Sequence, residues 1–206
     1  MKKEDIIIFG AGGHGVSVLD ILLSEYKYNI VAIADKNKQK ESSYGIPIVE
    51  DSVAYSLGIR NAIVAIGDNT LRRKIFKNLQ LSGFSLINAI SRMAYVSSRA
   101  QLGCGVVVMP YAVVNIGAHI GNGTVINTRA SVDHDTIVGD FCHVAPGSTL
   151  CGFVKVGNGA FVCAGSTVID HISIGKDVII GAGSTVIKNV SDRQTVVGVP
   201  AKPIKN

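Results

Sequence analysis

From Val96 onward the hydrophobic positions of this chain fall on a period of six. Val96, Leu102, Val108, Val114, Ile120, Ile126, Val132, Val138, Val144, Leu150, Val156, Val162, Val168, Ile174, Ile180 and Val186 are all branched aliphatics. The same stepping begun one residue later meets Val, Leu or Ile only at Ile169 and Ile187, so the stretch is patterned and not merely rich in valine. Four residues after each aliphatic position stands a small or β-branched residue, as at Ala100, Val106, Ala112, Ala118, Thr124 and Ala130. Glycine follows directly at Gly103, Gly121, Gly139, Gly157 and Gly175, eighteen residues apart.

A six-residue unit holds one short strand and one corner, and neither can bury an apolar face alone. Three units close a triangular coil, which accounts for the eighteen-residue glycine spacing. The pattern predicts a parallel β-helix of slightly more than five coils. Its aliphatic side chains point inward, and glycine or asparagine at the corners accepts backbone angles that other residues resist. A β-sandwich would space its strands irregularly by about 8–12 residues, and a coiled coil would repeat every seven. No residue is inserted into the register, so no loop should leave the prism.

The first 90 residues follow a different rule. Asp5–Gly10 is an apolar strand ending in glycine, and Gly15–Leu23 reads as a helix with Val16, Leu19, Leu22 and Leu23 on one face. Ile30–Ala34, Ile46–Val49 and Ala62–Ile66 are further strands, and Thr70–Leu81 a second helix. Strand–helix–strand order predicts a small parallel, Rossmann-like α/β sheet. The expected organisation is therefore an α/β domain over 1–90 and an all-β prism over 91–206.

Composition narrows the picture. Hydrophobic residues make up 47% and charged residues 17%, which excludes disorder. No apolar run approaches the roughly 18–20 residues that span a bilayer, and the N-terminus lacks a signal-peptide core, so a cytoplasmic protein without a membrane partner is expected. Cys104, Cys142, Cys151 and Cys163 form no CxxC pair, which points to thiols in a reducing compartment. The net charge of +5 is scattered, which argues against nucleic acid and favours small polyanions such as nucleotides.

Gly10-Ala11-Gly12-Gly13-His14-Gly15 follows the first strand and opens a helix, and Asp35 ends the second strand twenty residues later. That is the context of a dinucleotide loop and its ribose-binding acid. The domain is too short for two mononucleotide halves, so a single nucleotide diphosphate on the loop and helix start is the better ligand. Two alternatives are an NAD- or nucleotide-binding protein without catalysis, and glycines that serve only strand–helix packing. Gly67-Asp68-Asn69, with Arg72 a turn later, follows the fourth strand.

Among five histidines, His134 stands out. It sits at a corner beyond the inward Val132, with Asp133 and Asp135 on either side. A carboxylate beside an imidazole fixes its tautomer and steadies the imidazolium formed in proton transfer. Histidine's ordinary pKa near 6.5 suits a general base. His143 lies nine residues on, half a coil away, so the two should face different sides and meet only across two prisms. His119, His134 and His143 do not align on one edge, so no metal site is expected. His119 and His171 read as surface residues.

The hexapeptide register, and the α/β half joined to an uninterrupted prism, resemble the bacterial hexapeptide-repeat acetyltransferases. More specifically, they resemble the sialic-acid O-acetyltransferase and bacillosamine-type UDP-4-amino-sugar N-acetyltransferase family. The resemblance covers nearly the whole chain. It implies a left-handed winding, a homotrimer, acetyl-CoA as co-substrate, and N-acetylation of a nucleotide-linked 4-amino sugar for lipopolysaccharide or other glycan synthesis. O-acetylation of sialic acid or another sugar is the runner-up. It implies His134 as base and Asp135 as its orienter, although the family often has Glu there. The nucleotide sugar would be held by Gly12, Gly13, His14, Asp35, Gly67, Asp68 and Asn69. Acetyl-CoA would be held by Asn127, His143, Gly152 (eighteen residues above His134, an oxyanion donor), Ala164, Lys188 and Pro200. The terminal Val197-Gly198-Val199-Pro200-Ala201 is similar to the family's G-x-P-A segment, with Lys188, Lys202 and Lys205 near the coenzyme's phosphates.

Overall fold

The computed structural model describes residues 3–36 and 41–204, and the chain divides into two compact units at Arg92/Met93. In the first, β1 (Glu4–Phe9) leads through α1 (Gly13–Glu25) to β2 (Tyr28–Ala34). A hairpin of β3 (Ser42–Ser43) and β4 (Ile46–Val49), a short α2 (Asp51–Ser56), β5 (Asn61–Val64), α3 (Asn69–Leu81) and β6 (Ser85–Leu86) follow. The sheet order is β3-β4-β2-β1-β5-β6, parallel except at β3–β4. The chain thus builds outward from β1 through β2, then returns to lay β5 on the other side of β1. That reversal opens a crevice beyond the carboxyl ends of β1 and β5, where open α/β sheets bind ligands.

β1 runs Ile6, Ile7, Ile8 and Phe9, all buried because a parallel sheet is covered on both faces. The α1 helix begins two residues earlier than the sequence pattern suggests, and its buried stripe is Gly15, Val18, Leu19, Ile21 and Leu22. Val16 is half-buried and Leu23 exposed, contrary to the expected face. The reason is Gly15, whose missing side chain lets the helix touch the Gly10 carbonyl and so rotates the stripe toward it.

The second unit is the three-sided prism. Two-residue strands stack with their partners eighteen residues away, as in Val107, Val125, His143, Phe161 and Ile179 down the first face. Val113, Ser131, Thr149, Thr167 and Thr185 run down the second, and Gln101, His119, Ile137, Lys155 and Ser173 down the third. Of the inward positions, Val108 through Val186 are buried, and only Val96 and Leu102 at the start of the prism stay half-buried. Each Val or Ile taken fully out of water contributes about 1.5–3 kcal/mol, so a strict repeat accumulates stability coil by coil.

The corners correct one expectation. The periodic Gly103, Gly121, Gly139, Gly157 and Gly175 carry no left-handed angle. They are glycine because the next coil presses on them, and a Cβ on Gly103 would lie 2.7 Å from Asn122 Oδ1. The left-handed residue is a different one, recurring every six from Gly105 to Gly183. It is glycine at only some corners, and Tyr111, Arg129, Asp135, Phe141, Phe153, His171 and Asp177 hold the others. The period also breaks at the end. Ile174 pairs with Val190 and Ile180 with Val196, a last coil two residues short. The terminal segment then folds back, with Ala201 N–H on Thr185 and Lys202–Pro203 antiparallel to Val196–Val197.

Candidate active site

In the first unit a cavity of about 430 Å3 opens at the carboxyl ends of β1, β2 and β5. Gly12, Gly13, His14, Asp35 and Gly67 line it, as the sequence suggests. The glycines divide by task. Gly10 and Gly15 are packing glycines, because a side chain on either would run into backbone. Gly12 and Gly13 face open space, with nothing within 4 Å of an added Cβ. Gly12 is also the N-cap of α1 and supplies no side-chain cap, and a helix start of this kind favours an anion. Asp35 lends one carboxylate oxygen to the Ala11 N–H at 2.9 Å, pinning the loop it faces.

Asp68, Asn69 and Arg72 take other positions. The Asp68 carboxylate caps α3 by accepting from the Leu71 N–H at 2.7 Å. Arg72 is fully buried and donates to the carbonyls of Ile66 and Gly67 and to Asn69 Oδ1. These residues brace the loop and are not among those lining the cavity. Burial first, and the Arg72 guanidinium second, push His14 down to about 4, so its imidazole faces the cavity uncharged near neutrality. Phe9, Lys36, Asp51, Ile66, Leu71 and Ile75 also line the cavity and were missed from sequence. Asp51 was hidden because α2, which carries it, is too short to announce itself by periodicity. Burial, then Asp35, raises its carboxyl above the usual range against the pull of Lys36.

In the prism, His134 sits where the second face turns into the third. Its Nδ1 lies 3.0 Å from Asp135 Oδ2, and both side chains are about half exposed. An ionised carboxylate only accepts, so Nδ1 carries the hydrogen and Nε2 the lone pair. Asp133 does not share in this. Its carboxylate accepts from the His134 N–H at 2.7 Å and from Asn115 Nδ2 at 2.9 Å, so it shapes the corner. Gly152 packs against the imidazole, and an added Cβ there would lie 2.7 Å from His134 Cε1. Cys151 offers no oxygen of the kind with which Asp133 caps the corner below. Among the described residues no acceptor pairs with the Gly152 N–H.

His143 lies on the first face, buried, with Asn127 Nδ2 2.9 Å from its Nε2. Asn127 Oδ1 accepts from the Thr128 N–H at 2.7 Å, which turns the amide NH2 toward the ring and leaves Nε2 as acceptor. The structure thus joins these two residues, although nothing in the sequence pairs them. Ala164 stands at the exposed corner that follows the same face. His134, Gly152 and Lys188, by contrast, share the edge opposite that face, eighteen and thirty-six residues apart in register. Pro200 lies in the terminal turn that closes the last coil, and Lys205 lies outside the described residues.

Residues 5–79 match the PglD N-terminal domain family, and residues 117–152 and 153–188 match the bacterial transferase hexapeptide (six repeats) family. A variant of the perosamine N-acetyltransferase from Caulobacter crescentus, solved with CoA and GDP-perosamine, is 39% identical with a TM-score of 0.94, over 98% of this chain and 97% of that one. The acetyltransferase domain of PglB from Neisseria gonorrhoeae, solved with acetyl coenzyme A, is 33% identical over 98% of this chain and all of that one, TM-score 0.94. WeeI from Acinetobacter baumannii shares the fold at 22% identity, TM-score 0.84. The prism is the left-handed β-helix of such enzymes, and the chain belongs to the family of hexapeptide-repeat acetyltransferases that carry a PglD-type N-terminal domain.

Proposed function

We propose that this protein transfers the acetyl group of acetyl-CoA to the 4-amino group of a sugar linked to a nucleotide diphosphate. The observation that carries the chemistry is the His134–Asp135 pair at an open edge, with Nε2 left as the base and the Gly152 backbone against the ring. The amine attacks the thioester carbonyl while His134 Nε2 takes the amine proton. The Gly152 N–H meets the oxyanion. As the tetrahedral intermediate collapses, the C–S bond breaks and the proton passes to the CoA thiolate. Asp135 holds Nδ1–H throughout, so the imidazole keeps the tautomer in which Nε2 is the base.

The nucleotide diphosphate sits on Gly12, Gly13 and the start of α1, beside a neutral His14 and near Asp35. The GDP-perosamine of a structure 39% identical supports a GDP-linked amino sugar as the first acceptor to try. Acetyl-CoA draws on Asn127, His143 and Ala164 from one face and on His134, Gly152 and Lys188 from the opposite edge. One molecule reaches both sets only between two copies, which supports a homotrimer with shared sites. A monomer in sedimentation at working concentration would sink that arrangement. Both substrates are metabolites of the cytoplasm, where the enzyme is expected to act.

The test is thiol release from acetyl-CoA with GDP-perosamine, then with UDP- and dTDP-linked 4-amino-4,6-dideoxy sugars. Native protein should turn over one of them, and His134→Ala should lose about 10²–10⁴-fold in kcat. Undiminished turnover in the variant would remove His134 as base. Release with sialic acid alone would change the product from an amide to an ester.

A further inference from the structure

We propose that Phe153 is a positioning residue that holds the imidazole of His134 in its working plane; the inference rests on His134 being the base. Position 153 is one of the left-handed corners, with φ 59°. The two corners on either side of it in sequence use Gly147 and Gly159, which adopt this conformation without strain. Phenylalanine here accepts backbone strain, and the residue remains 44% exposed, so burial does not compensate. Tyr111 and Phe141 hold the same kind of corner, so what sets Phe153 apart is what its ring touches.

The Phe153 ring meets the His134 imidazole edge-to-face, with centroids 5.2 Å apart and planes at 87°. On its other side it stacks on His171, at 4.8 Å and 5°. The left-handed turn that aims the ring also sends the Phe153 N–H to the His134 carbonyl at 3.2 Å. His134 is therefore fixed by Asp135 at Nδ1, by the Gly152 backbone against the ring and by Phe153 beside it. The Asp135 bond alone is half exposed and leaves the imidazole free to swing about it. Phe153, backed by His171, blocks that swing. A base displaced by a fraction of an ångström loses rate while both substrates still bind.

The discriminating variant is Phe153→Gly, because it removes the ring and relaxes the corner together. The expected result is a melting temperature equal to or above native, kcat lower by about tenfold, and KM for both substrates within about twofold. Phe153→Tyr should restore kcat. A ring that matters only for stability would lower melting and leave kcat alone. A ring that contacts substrate would raise one KM at constant kcat. Either result overturns the proposal, as does Phe153→Gly with native kinetics. His134→Ala measured alongside separates the two claims. If that variant retains activity, the base assignment has failed. If it is dead while Phe153→Gly is native, only the positioning role has failed.

Discussion

In the N-terminal unit the important glycines crowd into one loop and divide between packing and open space, whereas in the prism they recur down one edge at a spacing fixed by coil height. Gly15 and Gly103 are glycine for the same reason, a backbone or side chain pressed against the missing Cβ. Gly12 and Gly152 differ from them. Gly12 borders a cavity with nothing near it, and Gly152 borders the His134 imidazole, which faces the Asp135 carboxylate at hydrogen-bond distance. Gly15 and Gly103 therefore report architecture, whereas Gly12 and Gly152 border the places where a ligand and a reacting group would lie.

The sharpest way to break that comparison is Gly152→Ala. Gly152 is not in the left-handed region, so its backbone tolerates alanine, and only the His134 ring stands in the way. Melting should stay within a few degrees of native, while kcat falls about a thousandfold, equivalent to about 4 kcal/mol. Near-native turnover would show that the ring does not work where it lies.

A paired substitution sharpens the contrast in the other unit. Gly15→Ala drives a methyl group into the Gly10 carbonyl and should destabilise the N-terminal unit by about 3 kcal/mol or more. Gly12→Ala meets nothing within 4 Å and should lower melting by only a few degrees, the cost of a poorer N-cap, while raising KM for the nucleotide sugar. Thermal denaturation with steady-state kinetics reads both. Equal destabilisation by the two would refute the division of labour within the loop.

How much of this could be read from the sequence also differs between the regions. The prism was legible because one side chain in six must be aliphatic, and Val108 to Val186 obey without exception. The left-handed corners were not legible, since Tyr111, Arg129, Phe141 and Phe153 share a backbone conformation but no side-chain chemistry. The shortened last coil was missed for a related reason, as the period simply stops. In the site, His134 and Asp135 were visible as neighbours in sequence. Phe153 and the Asn127–His143 pair were not, because stacking of successive coils is what joins them. In the α/β unit the loop was legible as a motif, yet Asp51 and the bracing role of Arg72 depend on tertiary burial that no local pattern encodes.

His14 supplies the smallest effect and a last distinction between the regions. Its folded pKa of about 4 lies below the ordinary histidine value near 6.5, held there chiefly by burial and then by Arg72. Between those two pH values the unfolded chain binds a proton that the folded unit does not. Unfolding therefore gains protons, and stability must rise with pH across the window and fall as the solution is acidified. The full shift corresponds to about 3 kcal/mol, and about 2 kcal/mol remains after allowing for water in the cavity. His14→Gln should flatten the fall in melting temperature of the N-terminal unit between pH 6.5 and 4. The prism's transition should be unaffected by the substitution, since His14 belongs to the other unit. An unchanged pH slope in the variant would mean that His14 is not held neutral by its burial, and the uncharged face it presents to the nucleotide would have to be abandoned with it.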